Sequence, residues 1–259
     1  MNETLEGIAR VLFRSWFIDF DPVRAKAEGR EPVGLSGDVA TLFPDSFEHS
    51  SAGLVPRGWR DRALREVADV NACTLRPADR LDSIDYIEIS AVKRGDIHEV
   101  VTYMRGAEPS RARRRLRHGD TALSTVRPER SAYFLALHPH ERLIASTGFA
   151  VVSPTAAPWS FLHAALTQEE VFEELGRLAD GGAYPAIRPS VVEERRIMLP
   201  CDQSLLEAYH SVAAPLYERA SCNRRESDTL ALLRDALLPK LLSGELRVGD
   251  PGLGSEMAP

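Results

Sequence analysis

Phe17-Ile18-Asp19-Phe20-Asp21-Pro22-Val23-Arg24 is the stretch on which the organisation of this chain turns. It closes an apolar stripe at helical spacing (Leu5, Ile8, Leu12 and Trp16), so residues 1–20 read as an amphipathic helix. Pro22 limits that helix, because proline lacks the amide that would continue the ladder and disfavours helical backbone in the residue before it. A second helical segment, 203–248, lies near the other end. Leu206, Tyr209, Ala213, Leu216 and Ala220 make one stripe in it, and Leu230, Leu233, Leu237 and Leu241 make another, with Pro215 expected to kink or divide the segment. Such stripes need apolar cover. Either the two end helices pair in a coiled-coil-like manner, or each covers the domain between them; periodicity leaves both open.

Between the end helices the pattern changes. Residues 21–58 are rich in Pro, Gly, Ser and Asp and read as an irregular linker that ends at Gly53-Leu54-Val55-Pro56-Arg57-Gly58-Trp59. Residues 59–202 hold short strand-like runs: Tyr86–Ser90, Val100–Tyr103, Thr121–Val126, Tyr133–Leu137 and Phe149–Val152. Two helices interrupt them. The second opens on a predicted capping box, Thr167-Gln168-Glu169-Glu170, with Val171, Leu175, Leu178 and Ala179 as its buried face. Residues 249–259 read as a frayed tail. The fold class is therefore α+β, one mixed β-rich domain flanked by N- and C-terminal helices.

The bulk numbers exclude several classes. In 259 residues, 44% are hydrophobic, enough for a real core. No apolar run approaches the roughly 20 residues that span a bilayer. Glu3 and Glu6 stand where a signal peptide would be basic, so the expected location is cytoplasmic and no membrane partner is expected. Cys73, Cys201 and Cys222 are widely spaced and fit neither a zinc ribbon nor a disulfide framework.

Catalytic signatures are missing as well. There is no Gly-rich dinucleotide fingerprint, phosphate loop, H-E-x-x-H or G-x-S-x-G. The pair of acids in Asp82-Ser83-Ile84-Asp85 has no acid–base context and reads as a strand entry, and His138-Pro139-His140 lacks an evident third ligand and reads as a surface turn. No catalytic residue and no metal site is expected.

The positive signal is arginine. The net charge is −6, yet residues 105–130 hold eight arginines against three acids, a local +5. Arg111-Ala112-Arg113-Arg114-Arg115-Leu116-Arg117-His118 is its centre. Guanidinium forks match phosphates and guanine edges bidentately, although a charged solvated turn would read the same way. Tyr103, Ser124, Thr125, Arg127, Arg130, Tyr184 and Arg188 add hydrogen-bonding and stacking capacity, and Lys93, Arg94 and Arg105 complete the candidate cationic set.

Longer motifs then point to a family. Arg14-Ser15-Trp16-Phe17-Ile18-Asp19-Phe20-Asp21-Pro22-Val23-Arg24-Ala25-Lys26-Ala27-Glu28-Gly29-Arg30 resembles the central spacer of type I restriction–modification specificity subunits, and Leu233-Arg234-Asp235-Ala236-Leu237-Leu238-Pro239-Lys240-Leu241-Leu242-Ser243-Gly244-Glu245 resembles their terminal spacer helix. Leu42–Phe47 and Gly53–Trp59 resemble the entry to a target recognition domain, Gly119–Pro128 its recurring Gly-Asp strand, and Ala183–Arg188 its late loop. Such subunits carry two recognition domains, whereas this chain has one and resembles the C-terminal half.

The resemblance implies a target recognition domain over 59–202 that reads one half of a split site in double-stranded DNA. Spacer helices would set the distance to the other half and dock methyltransferase subunits. S-adenosylmethionine, ATP and Mg would belong to those subunits and to a restriction translocase, with no cofactor in this chain. Leu5, Ile8, Leu12, Trp16, Leu230, Leu233, Leu237 and Leu241 are the expected partner-helix positions, facing a second copy or a complementary half-subunit. The competing expectation is a scaffold or degenerate remnant that binds the methyltransferase without reading DNA. A stand-alone nuclease or methyltransferase is disfavoured by the missing motifs.

Overall fold

The structure is a computed structural model and describes residues 1–50, 53–76, 78–182 and 184–246. The expected tail at 249–259 and the last two positions of the expected terminal helix, 247 and 248, lie outside the described residues, as does Ala183 of the late loop.

Helix α1 spans Asn2–Phe17. It stops five residues short of Pro22, which instead lies in the first turn of the next helix, α2 (Asp21–Ala27), an early position whose amide needs no partner. The segment expected to be an irregular linker therefore holds regular structure: α2, α3 (Gly37–Thr41) and an antiparallel hairpin of β1 (Phe47–Ser50) and β2 (Gly53–Pro56). These pieces are too short for periodicity to mark them.

Strands β3 (Arg60–Ala63), β4 (Ala68–Val70), β5 (Ser83–Ile87), β6 (Val92–Lys93), β7 (Asp96–Ile97), β8 (Val101–Met104), β9 (Ala112–Arg115), β10 (Asp120–Ser124), β11 (Tyr133–Ala136), β12 (Leu143–Ser146) and β13 (Phe149–Pro154) follow. Two four-stranded sheets form the head, β11-β10-β13-β4 and β8-β5-β12-β9. The first is wholly antiparallel; in the second, β5 and β12 run parallel. Alternation assigns side chains to layers. Ala122, Phe134, Phe149 and Val151 point between the sheets with Ile87 and Ala145. Leu123, Tyr133, Ala150 and Val152 point the other way, into a core shared with the helices. A third, smaller core of Leu75, Ile84, Tyr86, Ala112 and Ile144 lies on the outer face of the second sheet.

Helices α4 (Trp159–Leu166), α5 (Glu169–Arg177) and α6 (Pro189–Glu193) come next, then β14 (Arg196–Leu199), which pairs with β3. The expected capping box at α5 is not formed. Thr167 Oγ1 instead donates to His163 O at 2.7 Å, closing the end of α4, and Gln168 is the cap residue with no side-chain cap bond. Leu178, expected on the buried face of α5, is exposed, and Phe172 is buried there instead.

Helix α7 (Gln203–Leu242) is one continuous element of 40 residues, about 60 Å long, with Pro215 inside it. Proline removes one ladder bond there without dividing the helix. The two end helices pair antiparallel. Tyr209 Oη donates to Ala9 O at 3.0 Å, and at the far end Asn223 Nδ2 reaches Asn2 Oδ1 at 3.0 Å and Arg224 Nη2 reaches Glu6 Oε1 at 2.7 Å. The same helices also cover the head, so both uses of the stripes are realised.

The seam holds the expected Trp16 of α1 and the expected Tyr209, Ala213 and Ala220 of α7, but its other α1 residues differ from those expected. Ala9, Phe13, Trp16 and Phe17 are the buried face of α1, against Tyr209, Ala213, Tyr217 and Ala220 of α7. Leu5 and Leu12 are only partly buried, and Ile8 is 50% exposed. Aromatic rings fill the seam: Phe17 packs edge-on against Phe161 at 5.0 Å and Tyr209 at 5.5 Å, and Trp16 against Phe43 at 5.2 Å. Leu230, Leu233, Leu237 and Leu241 are 40–59% exposed on the later half of α7, and Leu230 lines a hollow beside Asn2 and Glu3 at the start of α1. No helix among the described residues is long and apolar enough to cross a membrane.

Candidate nucleic-acid interface

The arginine run is a strand, not a turn. Arg113, Arg114 and Arg115 lie on β9, which pairs with β12 through a register shift at Arg113: Ser146 faces Ala112 and Ala145 faces Arg114. Fully buried Ala112 anchors it in the small outer core. Residues 73–75 zip along the other side, with Leu75 N donating to Arg113 O at 2.7 Å and Arg115 N to Cys73 O at 3.2 Å. The strand thus holds its guanidiniums on a braced backbone.

Their partners differ. Arg115 Nη1 lies 3.3 Å from Asp79 Oδ2, Arg113 Nε donates to Ser110 O at 3.2 Å, and Arg117 Nη2 lies 2.6 Å from Cys73 Sγ. Arg114 Nε is buried with no hydrogen-bond partner among the described residues, and burial lowers the guanidinium's pKa below its ordinary value. A buried N–H donor without an acceptor is costly, and an arriving anion would relieve it. Arg105 and Arg113 share a hollow of about 50 Å³ with Tyr103 and Arg76. Arg76 escaped sequence reasoning because it stands far upstream of the run and carries no pattern of its own.

A second arginine group sits on the turn after β10. Arg127 takes a left-handed conformation (φ 48°) and lays its guanidinium 4.6 Å from the Tyr184 ring centroid, a cation–π contact on an exposed aromatic. Arg130 and Arg188 are exposed nearby in sequence, Arg188 capping α6. Backbone hydrogen bonds join this group to the first: Thr147 N to Arg111 O (2.8 Å), Thr125 N to Gly148 O (2.8 Å), Ile187 N to Thr125 O (2.9 Å) and Arg127 N to Pro185 O (2.8 Å). Residues 111, 147–148, 125–127 and 185–187 therefore form one continuous rim. Gly148 lies close under Ile89, whose side chain would have to move to admit a Cβ there.

Not every candidate belongs to this rim as a presented side chain. Ser124 and Thr125 are buried; Ser124 Oγ donates to Val126 O at 2.7 Å and Thr125 Oγ1 to Gly148 O at 2.8 Å. Their hydroxyls hold the turn and have none of the exposure that contact with a base would need. Lys93 and Arg94 lie on the β6–β7 hairpin, where Arg94 Nη1 is 3.3 Å from Glu169 of α5 and Asp96 pairs with Arg224 of α7 at 2.9 Å. The structure places them on the helix side of the head, among acids. His138 and His140 also separate: His140 Nε2 lies 3.7 Å from Asp85, while His138 turns toward α7.

No family model matches the chain. Two curated proteins align with 95% of it: the type I restriction enzyme HindI specificity subunit of Haemophilus influenzae at 25% identity, and the type I restriction enzyme MjaIX specificity subunit of Methanocaldococcus jannaschii at 23%. The chain is similar to type I restriction specificity subunits over nearly its whole length. It spans 62% and 54% of the length of those two relatives. Among solved structures, the HsdS subunit of Thermoanaerobacter tengcongensis matches 82% of the chain at 25% identity and TM-score 0.54, over 54% of its own length. A chain from a structure of the type I R-M system, concerned with its complex assembly and conformational transition, matches 79% at 27% identity and TM-score 0.53, over 53% of its own length. The family read from the spacer-like motifs of the sequence is the one these specificity subunits represent.

Proposed function

We propose that this chain is a non-catalytic DNA specificity component of a type I restriction–modification system, reading one half of a bipartite site in double-stranded DNA. The observation that carries the reading is the alignment of 95% of the chain with specificity subunits, over little more than half of their length. The arginine rim is the surface offered to the duplex: guanidiniums on braced backbone position the head on phosphates and reach base edges. The paired helices α1 and α7 are the ruler, and the exposed leucines of α7 take a second half, either another copy or a complementary chain. Methyltransferase subunits dock on the helices and supply S-adenosylmethionine; ATP and Mg serve a restriction translocase. The location is the cytoplasm, where the chromosome is.

The test is selection from a random duplex pool by the full chain together with its methyltransferase subunit. The expected result is enrichment of a short fixed half-site, repeated as an inverted pair at constant spacing if two copies associate. Methyltransferase capture with no enrichment of any sequence would instead support the scaffold reading.

A further inference from the structure

Three side chains from three separate parts of the chain converge where the head meets α7. His118 lies in the turn between β9 and β10, His138 follows β11, and Glu218 lies on α7; their ligating atoms all fall within 4.8 Å of one another. His138 Nε2 stands 3.1 and 3.2 Å from the two carboxylate oxygens of Glu218, and His118 Nε2 stands 3.9 Å from one of them. The two imidazole rings are 4.4 Å apart.

The backbone is bent to achieve this. His138 adopts a left-handed conformation, φ 51°, which is uncommon for a residue with a side chain. Beside His118, Gly119 (φ +84°) brings the turn so close to Trp159 that a Cβ would lie 2.7 Å from the tryptophan Cβ. Trp159 in turn meets the His118 ring edge-on at 5.7 Å.

We propose that His118, His138 and Glu218 form a binding site for a borderline divalent transition metal, zinc(II) above all, that clasps the head to α7. Two imidazole nitrogens and one carboxylate are a donor set that zinc takes with a fourth position left to water, whereas calcium and magnesium favour all-oxygen sets. Zinc–ligand bonds of about 2.0–2.1 Å place tetrahedral donors roughly 3.3 Å apart. The observed 3.1 and 3.9 Å bracket that value, and all three side chains are partly exposed and free to adjust. Binding at His138 Nε2 sends the proton between it and Glu218 to Nδ1 of the same ring or to water. At His118 the proton moves to Nδ1, which releases the long 3.3 Å hydrogen bond it accepts from the His138 amide.

The full chain, dialysed against a chelator, is titrated with cobalt(II) and then zinc(II). The expected result is one equivalent of cobalt with the visible absorption of a low-coordinate site, no thiolate charge-transfer band, displacement by zinc, and a zinc-dependent rise in the thermal midpoint. His138→Ala and Glu218→Gln should each weaken binding by about tenfold or more. Glu218→Gln sits on the surface of a helix and keeps its geometry, so an unchanged far-UV circular dichroism spectrum separates lost binding from lost folding. Absence of uptake, unchanged affinity in both variants, or a thiolate band assigning the ion to a cysteine such as exposed Cys222 would overturn the proposal.

Discussion

His163 shows what a buried polar group costs this fold. Tyr217 meets it edge-on at 5.0 Å and Tyr133 at 6.0 Å, and its Nδ1 lies 3.2 Å from Thr121 Oγ1. Burial, reinforced by Arg10 and Arg224, pushes its pKa down to about 3. In the unfolded chain the ring takes a proton near its ordinary value of about 6.5. The stability tied to the neutral ring is therefore complete above that value and is lost as pH falls toward 3, at up to about 1.4 kcal/mol per pH unit. His163→Gln, which keeps an acceptor and donor but cannot titrate, is expected to flatten the fall of the urea midpoint below pH 6.5. An identical acid slope in the variant would show that the ring is not what destabilises the protein. Residue type alone gave no sign of this environment. The same holds for Ser124 and Thr125: as types they suit base contacts, but β10 is buried along its whole length and their hydroxyls serve the backbone.

At the scale of elements, legibility followed pattern strength. Strands β8, β10, β11 and β13 were readable because apolar residues cluster or alternate in them, each near its observed bounds, whereas β5 (Ser83–Ile87) was expected three residues late, at Tyr86–Ser90. Strand β9 was not, since three consecutive arginines carry no apolar signal and their pairing with β12 and residues 73–75 is set by distant chain. Of the expected α1 stripe only Trp16 lies in the buried seam: Leu5, Ile8 and Leu12 outrank Ala9 in hydropathy, but it is Ala9 whose carbonyl accepts from Tyr209 Oη. Leu230, Leu233, Leu237 and Leu241 are left exposed, as positions expected to face a second copy or a complementary half would be. So many exposed leucines along one half of a surface helix have the character of an association surface. Leu233→Glu with Leu237→Glu is expected to leave the stability of the head, followed by thermal unfolding, within about 1 kcal/mol of the parent, because neither leucine belongs to the core. The same pair should abolish self-association, or association with a complementary half, in sedimentation velocity. Association that survives both changes would place the interface elsewhere.

For the whole molecule, the net charge of −6 concealed the feature that matters. Acids lie along the helices and on the hairpin side of the head, while the arginines of β9 and of the turn after β10 occupy a single rim. The sequence held the cluster at 105–130 but not the partition, because the hydrogen bonds through Thr147 and Gly148 that join the two arginine groups cross long stretches of chain. The partition sets up a contrast that total charge would not. Each phosphate contact to duplex DNA contributes roughly 0.9 to the slope of log affinity against log salt. Arg113→Ala, Arg114→Ala and Arg115→Ala together should weaken duplex binding and reduce that slope by about 1–3, the upper bound being three lost contacts at that rate. Lys93→Ala with Arg94→Ala removes almost as much positive charge, from the hairpin beside α5 and α7, and should leave the slope unchanged. Fluorescence anisotropy over a range of salt concentrations measures both. Equal losses in the two variants would mean that the protein attracts DNA by diffuse charge, and the rim would lose its claim to the interface.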